Sequence, residues 1–295
     1  MDGTRASLER RLTTDPEIED LLVEMSLVQG VSELFADDVS QLEMRISECL
    51  SRPESLRPFV VSAAANVASY QAIYAFDFAS AGRWQEWALP YYQRTTGPFS
   101  VMYGYCFAGI AAMEQLDVTA AEDYFRKAQQ LARTIAGNSS HAQRLAGAIL
   151  GDLLYEQGHL VEAERLLDES HKLGSEGGVV DFMLATYGTG APIKALRGDV
   201  ESAEQLLREG AEIATTLSLG RLAARIENER VRAGLIGERY LGAQRPAADR
   251  EDGVVIITAG WETESTIRLI LAKADSGAAD PRPNLDLPRN DSPTR

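Results

Sequence analysis

Three histidines, His141, His159 and His171, two cysteines, Cys49 and Cys106, and a glycine-rich "YGTGAP" containing Gly188 and Gly190 are the residues whose types lend themselves to chemistry. Metal binding by histidine needs ligands that share a face, such as an i, i+4 pair, and spacings of 18 and 12 provide none. The cysteines form neither a C-x-x-C nor any other ligand spacing and read as small buried residues. A dinucleotide loop needs a third glycine and a preceding strand. "YGTGAP" has neither, so it reads as close helix packing or a helix break forced by Pro192. The carboxylates of "TAAEDYF", "VEAERLLDES" and "ESAEQLLREG" gather at helix starts, where they complement the helix dipole. Ser139, Ser140 and Ser202 likewise read as cap or first-turn residues. No catalytic grouping, metal site or cofactor is expected, and the chain is read as a non-enzyme.

The elements around these residues repeat. "YEQGHLVEAERLLDES" and "ALRGDVESAEQLLREG" align with Ala163 and Ala203 forty residues apart, and "MEQLDVTAAEDYFRKA" places Ala121 forty-two residues before Ala163. Each copy carries a small, large, small triad: Ala121, Phe125, Ala128; Ala163, Leu167, Ser170; Ala203, Leu207, Gly210. Positions four and three apart share a helix face, so the triad is one knob between two gaps that admit a neighbouring helix. Twelve residues before each first alanine stands another small residue, Gly109, Gly151 or Ala191, on an apolar-periodic stretch that reads as the first helix of a hairpin.

Fainter copies flank these. One places Ala75 and Trp87 in the small columns; Trp87 and Arg94 stand where the template wants small residues and Pro90 falls inside the second helix, so this unit should be distorted or begun late. An earlier one carries Leu42 and Ile46. "GVVIITAG" is the one β-branched run; with nothing to pair with, it should begin the following helix.

The expected organisation is therefore a flexible N-terminus over 1–15, helical repeats over 16–240, a linker over 241–253, a final helix over 254–273 and a disordered tail over 274–295. The fold class is all-α, a helical-hairpin solenoid in which each hairpin depends on its neighbours.

These columns resemble tetratricopeptide (TPR) repeats, with small residues at Gly151, Ala163 and Ser170 around Leu167. Periods of 40 and 42, with "GHLVEAERLLDES", "RGDVESAEQLLREGAEIA" and "LAARIENERVRAGL", look like the MalT-like TPR region of large ATP-binding LuxR-type transcriptional regulators. That resemblance implies a right-handed superhelix serving as a sensor and protein-interaction segment. Neither a phosphate loop nor a DNA-reading helix pair flanks the repeats in this sequence, so ATP hydrolysis and DNA recognition are not carried over.

In such a stack the first helices line a concave face. Residues one, four, eight and eleven positions into each repeat select Tyr103, Cys106, Ile110 and Met113, then Leu145, Ala148, Asp152 and Tyr155, and finally Arg225, Asn228 and Arg232. Tyr103, Cys106, Asp152, Tyr155, Arg225, Asn228 and Arg232 are the candidate groove for a protein, peptide or small polar ligand. Arg225, Arg230 and Arg232 make the one basic stretch, where pairing with Glu227 and Glu229 is the alternative to an anionic partner.

A formal charge of −15 opposes binding to a phosphate backbone. Mean hydropathy of −0.18, no apolar run of bilayer length and no apolar core behind the N-terminal charges exclude a membrane span and predict a cytoplasmic protein. The alternative function is a stand-alone structural adaptor, or a truncated regulator remnant, that self-associates through its terminal hairpins.

Overall fold

Why the chain repeats is visible at its turns. Five first helices end on a residue in the left-handed region: Asp37, Phe76, Leu116, Gly158 and Gly198. Each is closed by the same pair of backbone bonds, as in Leu116 N–H to Met113 O at 2.9 Å and Asp117 N–H to Ala112 O at 2.9 Å. In the four later hairpins the next residue caps the second helix. Asp77, Asp117 and Asp199 do so by accepting the backbone N–H of Ser80, Ala120 and Ser202, whereas His159 in the same place makes no such bond.

The computed structural model describes residues 16–235 and 252–277; the expected flexible N-terminus, most of the linker over 241–253 and the tail from 278 onward lie outside these residues. The order is α1 (Pro16–Phe35), α2 (Leu42–Ser51), α3 (Pro58–Tyr74), α4 (Phe78–Tyr92), α5 (Phe99–Glu114), α6 (Val118–Ala136), α7 (His141–Glu156) and α8 (Leu160–His171). It continues with α9 (Val180–Met183), a π-helical segment (Leu184–Thr189), α10 (Gly190–Leu196), α11 (Val200–Thr216), α12 (Gly220–Arg232) and α13 (Gly253–Gly277). There is no strand among the described residues, and "GVVIITAG" is helical from its first residue. Helix α13 runs to Gly277, so residues 274–277, expected to start a tail, are its last turn.

Successive helices pack as antiparallel hairpins laid side by side. The seam inside each hairpin follows positions twelve apart, Gly30 and Leu42, Ser69 and Ala81, Gly109 and Ala121, Gly151 and Ala163, Ala191 and Ala203, with Ser69 touching Ala81 and Gly151 lying against Ala163 O directly. The approach is close enough that a Cβ on Gly109 would fall 2.2 Å from Phe125 Cε1, and one on Gly151 2.9 Å from Leu167 Cγ. In the first hairpin Leu42, Ile46 and Cys49 fill the triad, all buried, which also accounts for Cys49.

The second hairpin corrects the expected register. Its triad is Ala81, Gln85 and Ala88, all buried, six residues upstream of the columns assigned through Ala75 and Trp87. Ala75 only caps α3, and Trp87 packs on Trp84 and Tyr91. The hairpin is regular, with Pro90 in the last turn of α4 and Arg94 beyond the helix. Polar side chains disguised it. Ser69 tucks its hydroxyl onto Ala81 O at 2.9 Å, and Gln85 sits in a buried group with Asn66 and Tyr92.

The π-helical segment lies where "YGTGAP" was read as close packing or a helix break, and it is both. Pro192 has no N–H to offer the carbonyl four residues back, and the widened turn before it absorbs the mismatch. A Cβ on Gly188 would lie 2.9 Å from Arg225 Cγ and Nε, so its absence lets the arginine rest against the helix.

Candidate ligand-binding site

The stack closes on itself. Asp37, in the turn between α1 and α2, faces Arg221, in the first turn of α12 and 184 residues away. The guanidinium grips the Asp37 carboxylate with two donors, Nη2 at 2.6 Å from Oδ1 and Nε at 3.0 Å from Oδ2. Nη2 also donates to Asp181 Oδ2 at 3.1 Å and to Tyr70 OH at 3.0 Å. Tyr74 bonds both Arg221 and Asp181, and its ring centroid lies 4.3 Å from the guanidinium carbon.

Arg221 and Asp37 are 2% and 7% exposed, so the pair is cut off from water. Burial opposes charge on both. It raises the Asp37 carboxyl above its ordinary value in spite of Arg221, while the carboxylates of Asp181 and Asp37 with the two phenols hold the guanidinium charged. Burial first, and the nearby carboxylates after it, push the Tyr70 and Tyr74 phenols well up.

Behind this clasp lies a cavity of about 360 Å³. Tyr74, Asp181 and Arg221 form one end. Ile257 and Trp261 of α13 form another, held because Gly253 at the start of α13 sits against Tyr74 O, where a Cβ would come within 2.6 Å. Glu114 at the end of α5, and Asp152 and Glu156 at the end of α7, present carboxylates to it, with Thr189 and Leu184 of the π-helical segment between them. Asp152 accepts the Thr189 hydroxyl. Loss of water contact raises the carboxyls of both Asp152 and Glu114; Asp181 adds to this at Glu114, whereas at Asp152 the Thr189 hydroxyl and Arg225 pull the other way. Arg225 points in from α12, its Nη2 3.0 Å from Glu229 Oε1 and its guanidinium carbon 5.5 Å from the Trp261 ring centroid.

The seven candidate groove residues do not form one surface. Asp152 and Arg225 share the central cavity. Tyr155 and Arg232 line a second, of about 350 Å³, with Ala191, Leu207 and Glu229. Tyr103 stacks on Phe182 at 5.6 Å and walls a third, of about 320 Å³, with Leu27, Val31, Phe35, Phe59 and Phe99.

Cys106 and Asn228 are corrections, because both are fully buried and line none of these three cavities. Cys106 Sγ packs 3.7 Å from Met102 Sδ, and burial pushes its thiol up. Asn228 bonds Ser265 Oγ at 3.2 Å and Trp261 O at 3.4 Å, joining α12 to α13. The basic stretch is paired as the alternative reading had it, Arg225 and Arg232 with Glu229, and Arg230 with Glu227.

Asp37, Asp181, Arg221, Glu114 and Trp261 escaped sequence reasoning. Asp37 and Arg221 belong to different repeats, and no local spacing links them. The turn column offers no signal either, since glycine holds it in two other repeats and Phe76 and Leu116 hold it in the remaining two.

Helix hairpins with small seam residues, stacked side by side around a polar interior, define a tetratricopeptide-like repeat protein. More particularly, the chain belongs to the family described as the MalT-like TPR region, whose profile matches residues 50–279. Among curated proteins it is similar to the serine/threonine-protein kinase PknK of Mycobacterium tuberculosis, strains ATCC 25618 / H37Rv and CDC 1551 / Oshkosh, and of Mycobacterium bovis. Each is 43% identical over 264 residues, which is 88% of this chain and 24% of the relative. The chain thus spans about a quarter of the length of these relatives. No solved structure matches.

Proposed function

We propose that this chain is a non-catalytic interaction module that takes a ligand into its closed interior, similar to the sensor region of a MalT- or LuxR-type transcriptional regulator. The observation that carries this reading is the central cavity. It is bounded by the second hairpin, the middle repeats, α12 and α13 at once, so an occupant touches elements far apart in sequence. A ligand that prefers one arrangement of these walls would shift the population of that arrangement. The kinase named in the relatives is a protein about four times as long, and its activity is not assigned to this chain.

A net charge of −15 favours protein or small-molecule partners over direct contact with nucleic acid, and a cytoplasmic location is proposed. No described helix is long and apolar enough to cross a membrane.

A self-associating adaptor is the second reading, favoured by the third cavity. Its walls are almost wholly apolar, and Phe35, Phe59 and Phe99 are 41%, 55% and 45% exposed. Thermal-shift measurements with oligosaccharides, nucleotides, peptides and amines test the first reading, because a ligand of the folded state raises Tm with concentration. Light scattering over a concentration series tests the second. A concentration-independent monomer would remove it, and a dimer with no ligand response would favour it.

A further inference from the structure

Resting on the reading of the central cavity as a ligand site, we propose that its occupant is a small organic cation, a primary amine on a compact apolar or aromatic body. The sign follows from how the charges on its walls are paired. Four carboxylates line it, Glu114, Asp152, Glu156 and Asp181, against two guanidiniums, Arg221 and Arg225.

Both arginines are committed. Arg221 is shared by Asp37 and Asp181, and Arg225 pairs with Glu229, a residue outside the lining. Glu114, Asp152 and Glu156 therefore have no cation within ion-pair distance among the described residues. Asp152 has only the Thr189 hydroxyl. Their mutual influence is already unfavourable. After burial itself, Asp181 raises the Glu114 carboxyl; at Asp152 the Thr189 hydroxyl and the more distant charge of Arg225 lower the carboxyl while Glu156 and Asp181 raise it, so repulsion among the carboxylates persists beside Arg225 and a positive charge placed between them relieves it.

The other walls suit the body of such a molecule. Ile73, Ile110, Met113 and Ile149 are aliphatic, and Phe76 and Phe78 meet edge to face at 6.3 Å. These two rings hold no arginine, whereas the rings of Tyr74 and Trp261 are each already faced by one. A volume of about 360 Å³ admits a ligand of amino-acid or monoamine size. An anion entering the same space would meet three carboxylates without an ion-pair partner among the described residues, with its countercharges already in use.

The test is calorimetric titration of the whole chain with three probes of one shape: phenethylamine, 2-phenylethanol and phenylacetate. The amine is expected to bind, the alcohol at least tenfold more weakly and the acid not at all. Asp152→Asn, which keeps an acceptor for Thr189, and Glu114→Gln should each weaken the amine about tenfold, with Tm of the free protein unchanged or raised. Equal or tighter binding of phenylacetate, or amine binding indifferent to both substitutions, would overturn the charge assignment and leave the cavity a ligand site. Absence of binding by all three, together with no response to oligosaccharides or nucleotides, would overturn the ligand-site reading itself.

Discussion

Leu116 is 86% exposed and held at φ 63°, a conformation that costs an L-residue roughly 1–2 kcal/mol. Glycine occupies the equivalent turn at 158 and 198. Leu116→Gly loses no buried surface and relieves the strain, so it should stabilise the protein by about 1 kcal/mol, less the backbone freedom gained by the unfolded chain. Urea denaturation would register this as a higher midpoint with an unchanged slope. A lower midpoint would mean that the leucine side chain makes a contact of its own. Asp37 is the instructive member of this column. It shares this φ with Phe76 and Leu116, but its carboxylate is held by Arg221, and a residue whose partner lies in a distant repeat cannot be understood from its own. His159, at the cap position of its hairpin, makes no capping bond and stands exposed in the turn.

Among the helices, one substitution should have opposite effects at two sites. Gly82 in α4 has open space where a Cβ would go, so Gly82→Ala should stabilise by up to about 1 kcal/mol through helix propensity. Gly109 in α5 has the Phe125 ring there, and Gly109→Ala should destabilise by about 1–3 kcal/mol as the seam is forced apart. Paired melting curves check the contrast, and equal shifts would mean that the seams are not close-packed. The seams were legible in the sequence wherever the small residue was Gly or Ala. They were misread where Ser69 and Gln85 took the same places, because a hydroxyl satisfied by a neighbouring helix carbonyl packs like a small apolar group yet looks like surface. The turn at "YGTGAP" was legible only as a conflict between Pro192 and a continuous helix, and the π-helical segment is how the backbone resolves it.

For the whole molecule, the carboxyls of Asp37, Glu114, Asp152 and Glu229 all lie above their ordinary values, full or partial loss of water contact being the leading cause each time. The folded chain therefore binds protons at these groups more readily than the unfolded chain does, and stability withheld at neutral pH returns as pH falls through their raised values. The helix-capping Asp77 and Asp199, together with Glu122, are lowered, first by hydrogen bonds from Ser80, Ser202 and Gln157. Their contribution is present above the ordinary carboxylate range and lost below it. With a net charge of −15 adding repulsion in the same direction, Tm should peak on the acid side of pH 7 and fall again once pH passes below about 4. Calorimetry across that range decides it, and a peak at or above pH 7 would contradict the burial of these groups. Repeat architecture was legible from the columns because it is written locally, forty residues at a time. The interior was not, because its shape depends on how far the stack turns over all its hairpins together.

That turning brings Asp37 against Arg221, and the contact alters how the protein comes apart. An open row of hairpins frays from its ends, since the outermost units have one neighbour each. Here an early turn and a late helix hold one another through a buried ion pair, and releasing either would strand a charge away from water. The amide hydrogens of the end hairpins should therefore exchange as slowly as those in the middle, and the chain should melt as a hoop does, all at once.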